Sequence, residues 1–236
     1  CIRDSIETVL KTGIRAAIAR HIVDVPAPER AGMEKAYLGG YLHQGLQEDG
    51  EYCLKDALRL YKKYHGYEDR LWIWFGPRAL GVVSSELLSR VAQLASELKT
   101  GWNIHMSEVI EDVEYTISRF GKRPIEYLKD INALNRNAVL VHGVHLDENE
   151  INLVKKAGAS IAHNPSSNMK LSSGVAPVAK MIREGVNVSL GSDGGPSNNM
   201  YNMFQEMRQA ALLQAVATKK PDALTPREVL RMATIN

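Results

Sequence analysis

Short, continuous apolar runs alternate along this chain with longer stretches of helical period. The runs "RAAIARHIV" (Arg15 to Val23), "LWIWF" (Leu71 to Phe75), "WNIHM" (Trp102 to Met106), "AVLVH" (Ala138 to His142), "SIAH" (Ser160 to His163) and "VNVSLG" (Val186 to Gly191) have the length and residue types of strands. None alternates strictly between apolar and polar, so the pattern predicts strands buried on both faces.

The stretches between them read as helices with marked ends. Ser84 opens "SSELLSRVAQLASELK", where Leu87, Leu88, Val91, Leu94, Ala95 and Leu98 form one apolar stripe. Asp147 and Glu150 fit a capping box before "INLVKKAG", with Gly158 as the left-handed stop, and Gly185 plays the same part after "APVAKMIRE". Thr225, Pro226 and Glu228 open the last helix. Buried strands alternating with helices predict a parallel sheet with crossover helices. Residues 26–70 differ: "GGYLHQGLQEDGEY" is polar and glycine-rich, and a segment of this length must hold helices of its own, as an elaborated loop over one end of the sheet.

Composition narrows the function classes. With 29 Lys+Arg against 27 Asp+Glu and a net charge of +2, the 236-residue chain has no basic excess, and no basic run interleaved with aromatics tracks a phosphate backbone. No apolar stretch approaches the roughly 18 to 20 residues that span a bilayer, and the opening lacks the pattern of a signal peptide. Nucleic-acid and membrane partners are therefore not expected, and the expected location is cytoplasmic. Cys1 and Cys53 follow no metal-ligand spacing and read as free thiols.

The polar residues at the strand ends carry the chemistry. His105 and Glu108 follow "WNI", His142 closes "AVLV", His163 closes "SIA", Asp193 follows "VSLG" and Arg78 follows "WFGP". Singly, each could be a hydrogen-bonded core or loop residue. Jointly, at the carboxyl ends of successive parallel strands, they would converge on one mouth, where barrel enzymes place their chemistry. Neutral imidazoles with a carboxylate suit metal-assisted hydrolysis, in which a further glutamate carries the proton to the leaving group.

The stretches "HMSE", "VLVHGVHL", "ASIAHNPSSNMKLSSGVAPVAKMIREGVNVSLGSDGGPSNN" and "NMFQEMRQAALLQ", in this order, resemble the amidohydrolase superfamily. The nearest branch is that of methylthioadenosine/S-adenosylhomocysteine deaminases, guanine and cytosine deaminases and triazine hydrolases. The resemblance runs from about Leu71 to the end and is densest from His142 to Gln214. It implies an α/β fold, a (β/α)8 TIM barrel of the metal-dependent hydrolase type. It further implies that His105 is a metal ligand and that Asp193 touches the metal and takes a proton from the attacking water. Glu108 is implied to protonate the substrate's ring nitrogen, and His142 to polarise water or substrate. Arg78, Glu108, His142, His163 and Asn168 fall at the substrate pocket, His145 is structural, and Asn198 and Asn199 fix the loop after the last strand. One divalent metal is implied, zinc by default with iron as the alternative. The implied partner is a small heterocyclic substrate, and a homo-oligomer is expected.

Two departures shape the reading. The family's His-x-His at the end of the first strand is absent, and counting back from Asp193 makes the visible strands the third to the eighth. Residues 1–236 thus read as one partial barrel domain without its first two strands and flanking β-sandwich, inactive by itself. At the fourth strand, "GPRALGVVS" puts Arg78 where thioadenosine deaminases carry the histidine of "GPHxPY". A guanidinium offers fixed donors and a permanent charge, which suits a keto-bearing purine, a pterin or a substituted triazine. The implied reaction is hydrolytic deamination of an amino-substituted N-heterocycle. Its alternatives are a triazine-type chlorohydrolase or aminohydrolase at the same site, and a non-catalytic barrel that has lost its metal.

Overall fold

The computed structural model describes residues 2–25 and 48–236. Strands β1 (Ala16–Ile22), β2 (Leu71–Pro77), β3 (Trp102–Met106), β4 (Ala138–His142), β5 (Ser160–His163) and β6 (Asn187–Leu190) form one sheet in the order β1-β2-β3-β4-β5-β6. Every pairing is parallel. A doubly wound sheet reverses its strand order at a switch point, whereas an uninterrupted sequential order is the wall of a β/α barrel. All six strands expected from the apolar runs are present, and the registers align their carboxyl ends: Met106 lies opposite His142, and His163 opposite Leu190.

Helices α1 (Ile2–Thr12), α2 (Gly50–Tyr64), α3 (Ser85–Glu97), α4 (Ile110–Phe120), α5 (Pro124–Asp130), α6 (Glu148–Ala157), α7 (Pro165–Lys170), α8 (Val178–Glu184), α9 (Gly195–Asn198), α10 (Met203–Thr218) and α11 (Pro226–Thr234) fill the connections. Phe75, Trp102, Ile104, Met106, Leu140, Ile161 and Val188 join Leu88, Val91, Leu128, Val154 and Met181 in the main apolar core. A smaller cluster of Ile6, Val9, Leu60, Leu71 and Ile73 packs α1 and α2 on the first two strands. The intervening residues Trp72, Trp74, Asn103, His105, Val139 and Val141 are only partly buried. The expectation of strands buried on both faces is therefore corrected: helices cover one face, and six strands do not close over the other. Among the described residues no strand pairs with the outer edge of β1 or β6.

The helix ends follow the capping residues. Asp147 accepts from the Glu150 N–H at 2.8 Å, and Gly158 stops α6 at φ +69°. Thr225 and Glu228 form the reciprocal box at the start of α11. Ser84 stands at the N-cap of α3, yet its hydroxyl and N–H both turn to Asp24, at 2.6 and 2.8 Å, and so tie the start of α3 to the chain just after β1. In the 26–70 segment, α2 is capped by Asp49, which accepts from the Tyr52 N–H at 2.8 Å. The expectation for residues 26–47, including most of the glycine-rich stretch, lies outside the described residues. No helix among those described is long and apolar enough to cross a membrane.

Candidate active site

The carboxyl ends of β3, β4 and β6 meet. His105, His142 and Asp193 each present one donor atom, and these atoms lie within 4.8 Å of one another. The imidazoles of His105 and His142 face each other with centroids 5.3 Å apart. Glu108 Oε2 stands 3.5 Å from His142 Nε2, and both side chains are buried. Two residues of this cluster adopt a left-handed backbone: His142 at φ +76° and Asp193 at φ +59°, with Ser107 beside Glu108 at φ +49°. Such backbone costs a non-glycine residue on the order of 1–3 kcal/mol and persists only where surrounding contacts hold it. On alternation alone His142 would share the face of Ala138 and Leu140; its turned backbone instead sets it against His105 and Glu108.

Those contacts are specific. His142 Nδ1 is 2.9 Å from Asn168 Oδ1 and 3.4 Å from Asn164 Nδ2. The shorter contact assigns the proton to Nδ1, which leaves Nε2 with a free lone pair, and Nε2 is buried without a hydrogen-bond partner. Asn168 is fully buried behind His142. Asn164 in turn packs on Gly191, where a Cβ would come within 2.3 Å of Asn164 Oδ1 and force that side chain to shift.

His105 receives its orientation from Arg78. The Arg78 carbonyl accepts from the His105 backbone N–H at 3.1 Å and lies 3.2 Å from Nδ1. The Arg78 guanidinium contacts both ring nitrogens, Nδ1 at 2.8 Å and Nε2 more closely, and so places a cation against the imidazole. Burial, then the charge of Arg78 and the neighbouring His142, holds His105 well below the usual histidine range. Burial works to raise Asp193, but the Ser167 hydroxyl at 2.6 Å and the Gly194 N–H outweigh it and keep the carboxyl below its ordinary value. The cluster thus sets a neutral His105 imidazole and an ionised Asp193 carboxylate beside His142.

Glu108 is set by the next turn of chain. Asp112 Oδ2 accepts the N–H groups of Glu108 and Val109 at 2.8 and 3.1 Å, which fixes the bend between β3 and α4. Burial raises Asp112 to about 7 against those two hydrogen bonds, with Glu108 adding to the rise. His163 is fully buried with neither ring nitrogen bonded, and burial, then His142, lowers it to about 3. His145 bonds the Ser173 carbonyl at 2.8 Å, Asn198 donates to the Ser192 carbonyl at 2.7 Å, and Asn199 accepts from Lys170 at 2.8 Å.

The sequence by itself points to two ligands, His105 and Asp193, and the structure adds the third donor, His142. Three further residues join the site on folding: Ser167, Asp112, and His21 at the end of β1, lowered by burial and then by Arg78 and Arg20. A histidine closing the first strand is a visible signal for His21. Ser167 carries no signal, since its partner Asp193 lies 26 residues away, whereas the partners of Asp112 lie only three and four residues before it and give a local signal that sequence reasoning missed.

Known proteins resemble this chain in sequence and in fold. The chain is 38% identical over 229 residues to the 5'-deoxyadenosine deaminase of Methanopyrus kandleri, covering 97% of this chain and 49% of the relative. The crystal structure of an adenosine deaminase from Xanthomonas campestris with bound Zn superposes with a TM-score of 0.86 at 28% identity, over 99% of this chain and 49% of that one. A triazine hydrolase from Arthobacter aurescens gives 0.89 at 27% identity, over 99% and 50%. The chain thus spans about half the length of the relatives it matches, and its six strands are part of the barrel of these hydrolases. The amidohydrolase family model matches residues 1–236, and on that match, joined to the fold and the strand-end cluster, the chain belongs to the amidohydrolase family.

Proposed function

We propose that this chain carries the proton-handling groups, and three of the metal-holding groups, of a hydrolytic deaminase of amino-substituted N-heterocycles, with adenosine-type nucleosides the first substrates to test. The observation that carries the reading is the meeting of His105, His142 and Asp193 within 4.8 Å beside the buried Glu108. The donor set fits a divalent ion. Neutral imidazoles and an ionised carboxylate are zinc ligands, His142 Nε2 has a buried lone pair without a partner, and a guanidinium already stands against His105. His105, His142 and Asp193 would hold the ion, zinc by the precedent of the Xanthomonas campestris enzyme. Once bound, it supplies Lewis acidity that lowers the pKa of water to about 7.

The chain's own groups divide the proton work. Asp193, kept ionised by Ser167 and Gly194, accepts the proton of the attacking water. Glu108 passes a proton to the ring nitrogen beside the carbon that bears the amine, so that ring carbon can become tetrahedral without charge building on nitrogen. The departing amine then takes the proton held by Asp193 and leaves as ammonia, and the hydroxyl proton on the ring carbon returns to Glu108 as the carbonyl forms. Asn168 holds His142 in the tautomer that presents Nε2, and Arg78 adds fixed donors for a carbonyl or anionic group on the substrate.

A second reading keeps the site and changes the leaving group. The likeness to a triazine hydrolase favours it. Release of ammonia from 5'-deoxyadenosine, against release of chloride from a chlorotriazine, by the full-length gene product separates the two. Glu108→Gln is expected to keep its zinc, measured by elemental analysis, while kcat falls by about 10²–10⁴-fold; unchanged turnover would remove Glu108 from the mechanism.

A further inference from the structure

Helix α10 buries a carboxylate that the mechanism above does not use. Glu206 is 1% exposed, and no salt bridge to it occurs among the described residues. A buried carboxylate without a cation needs hydrogen bonds to compensate its lost hydration. Glu206 finds them on two short helices, at the first turn of α7 and at the end of α9. Its Oε2 accepts from the Ser166 N–H at 3.2 Å, and its Oε1 accepts from Asn198 Nδ2 at 2.8 Å. Asn198 Nδ2 also donates to the Ser192 carbonyl at 2.7 Å.

Both contacts lead to Asp193. Ser192 is its chain neighbour. Ser167, next to Ser166, donates its hydroxyl to Asp193 Oδ2 at 2.6 Å. One carboxylate therefore grips the segment that carries Asp193 and the first turn of α7, which holds Asp193's own carboxylate. The left-handed backbone of Asp193, φ +59°, is the kind of conformation that requires such a grip.

We propose that Glu206 is a positioning residue for Asp193: through Asn198 and Ser166 it locks the first turn of α7 to the segment running from β6 through α9, and sets the place of the Asp193 carboxylate opposite His105 and His142. The proposal rests on Asp193 being a working group of the site.

The test uses the full-length gene product in four forms: Glu206→Gln, Asn198→Ala, the double variant, and Asp193→Ala as control. Four quantities are read: kcat and KM, the zinc dissociation constant, hydrogen exchange of residues 191–199 in the metal-free protein, and Tm. Glu206→Gln is expected to lower kcat and zinc affinity by about 10–100-fold, the usual size of an orienting contact to a metal ligand, with KM within about threefold. It should also speed exchange of 191–199 without metal. Asn198→Ala should give the same pattern, and the double variant should be little worse than either, because both cut one bridge. A fall in Tm with kcat, zinc affinity and loop exchange unchanged would overturn the proposal and leave Glu206 a merely structural residue. Should Glu206→Gln fail to fold, Asn198→Ala decides the matter: loss of kcat, zinc affinity and loop protection supports the proposal, and a fall in Tm alone overturns it. If Asp193→Ala keeps zinc affinity and turnover, the role of Asp193 fails first, and the proposal falls with it.

Discussion

Helices α3 and α10 are of similar length and bury opposite kinds of residue. Helix α3 buries Leu87, Leu88, Val91, Ala92, Leu94 and Ala95. Helix α10 buries Glu206, Ala210 and Gln214, and leaves Phe204, Leu212 and Val216 exposed. In α3 an apolar stripe meets the sheet and contributes to the core, about 25 cal/mol for each Å² of apolar surface removed from water. In α10 the buried face does another job. Gln214 accepts from the Ala179 N–H at 3.0 Å and donates to the Ala176 carbonyl at 2.8 Å, while Glu206 grips the start of α7 and the end of α9 beside Asp193. A helix that buries polar groups works as a clamp on backbone that no sheet or helix ladder satisfies.

Substitutions on the two helices break this contrast at graded cost. Leu88, 1% exposed in α3, should lose about 2–5 kcal/mol of stability on Leu88→Ala, read by denaturant unfolding, with the activity of the folded fraction intact. Gln214→Ala should cost about 1–3 kcal/mol, because it strands a buried N–H and a carbonyl of the chain entering α8. Its effect should appear as faster hydrogen exchange at Ala179, which a loss of core packing alone would not localise. Phe204, 81% exposed on α10, should change stability by less than about 0.5 kcal/mol on Phe204→Ser. A large loss there would mean that this face, unlike the exposed face of α3, is covered in solution.

The same contrast explains what can be read in advance of folding. The stripe of α3 follows from spacing, and so do the caps at Asp147 and Thr225, because each depends on residues three or four positions apart. His105, Glu108, His142 and Asp193 are visible because each interrupts or ends an apolar run. Ser167 and Glu206 are not. The partner of Ser167 lies 26 residues away and those of Glu206 lie 40 and 8 away, and nothing local distinguishes a serine or glutamate that will be buried from one that will be hydrated. Apolar patterning also misleads in one place. Trp72, Trp74, Val139 and Val141 are apolar as buried residues are, yet they line the face that the helices do not cover.

Sequence by itself determined the elements, their order and the strand ends at which polar residues stand, because short-range periodicity and capping chemistry act within a few residues. It also carried the family resemblance from Leu71 onward, through motifs set in a fixed order. Tertiary structure alone decided that His142 turns through a left-handed backbone to become the third donor beside His105 and Asp193. It alone decided which lone pairs face the cluster, through Asn168 on His142 and Ser167 on Asp193. The reason is physical: a donor's direction depends on hydrogen bonds between loops that come together only when parallel strands bring their carboxyl ends to one rim.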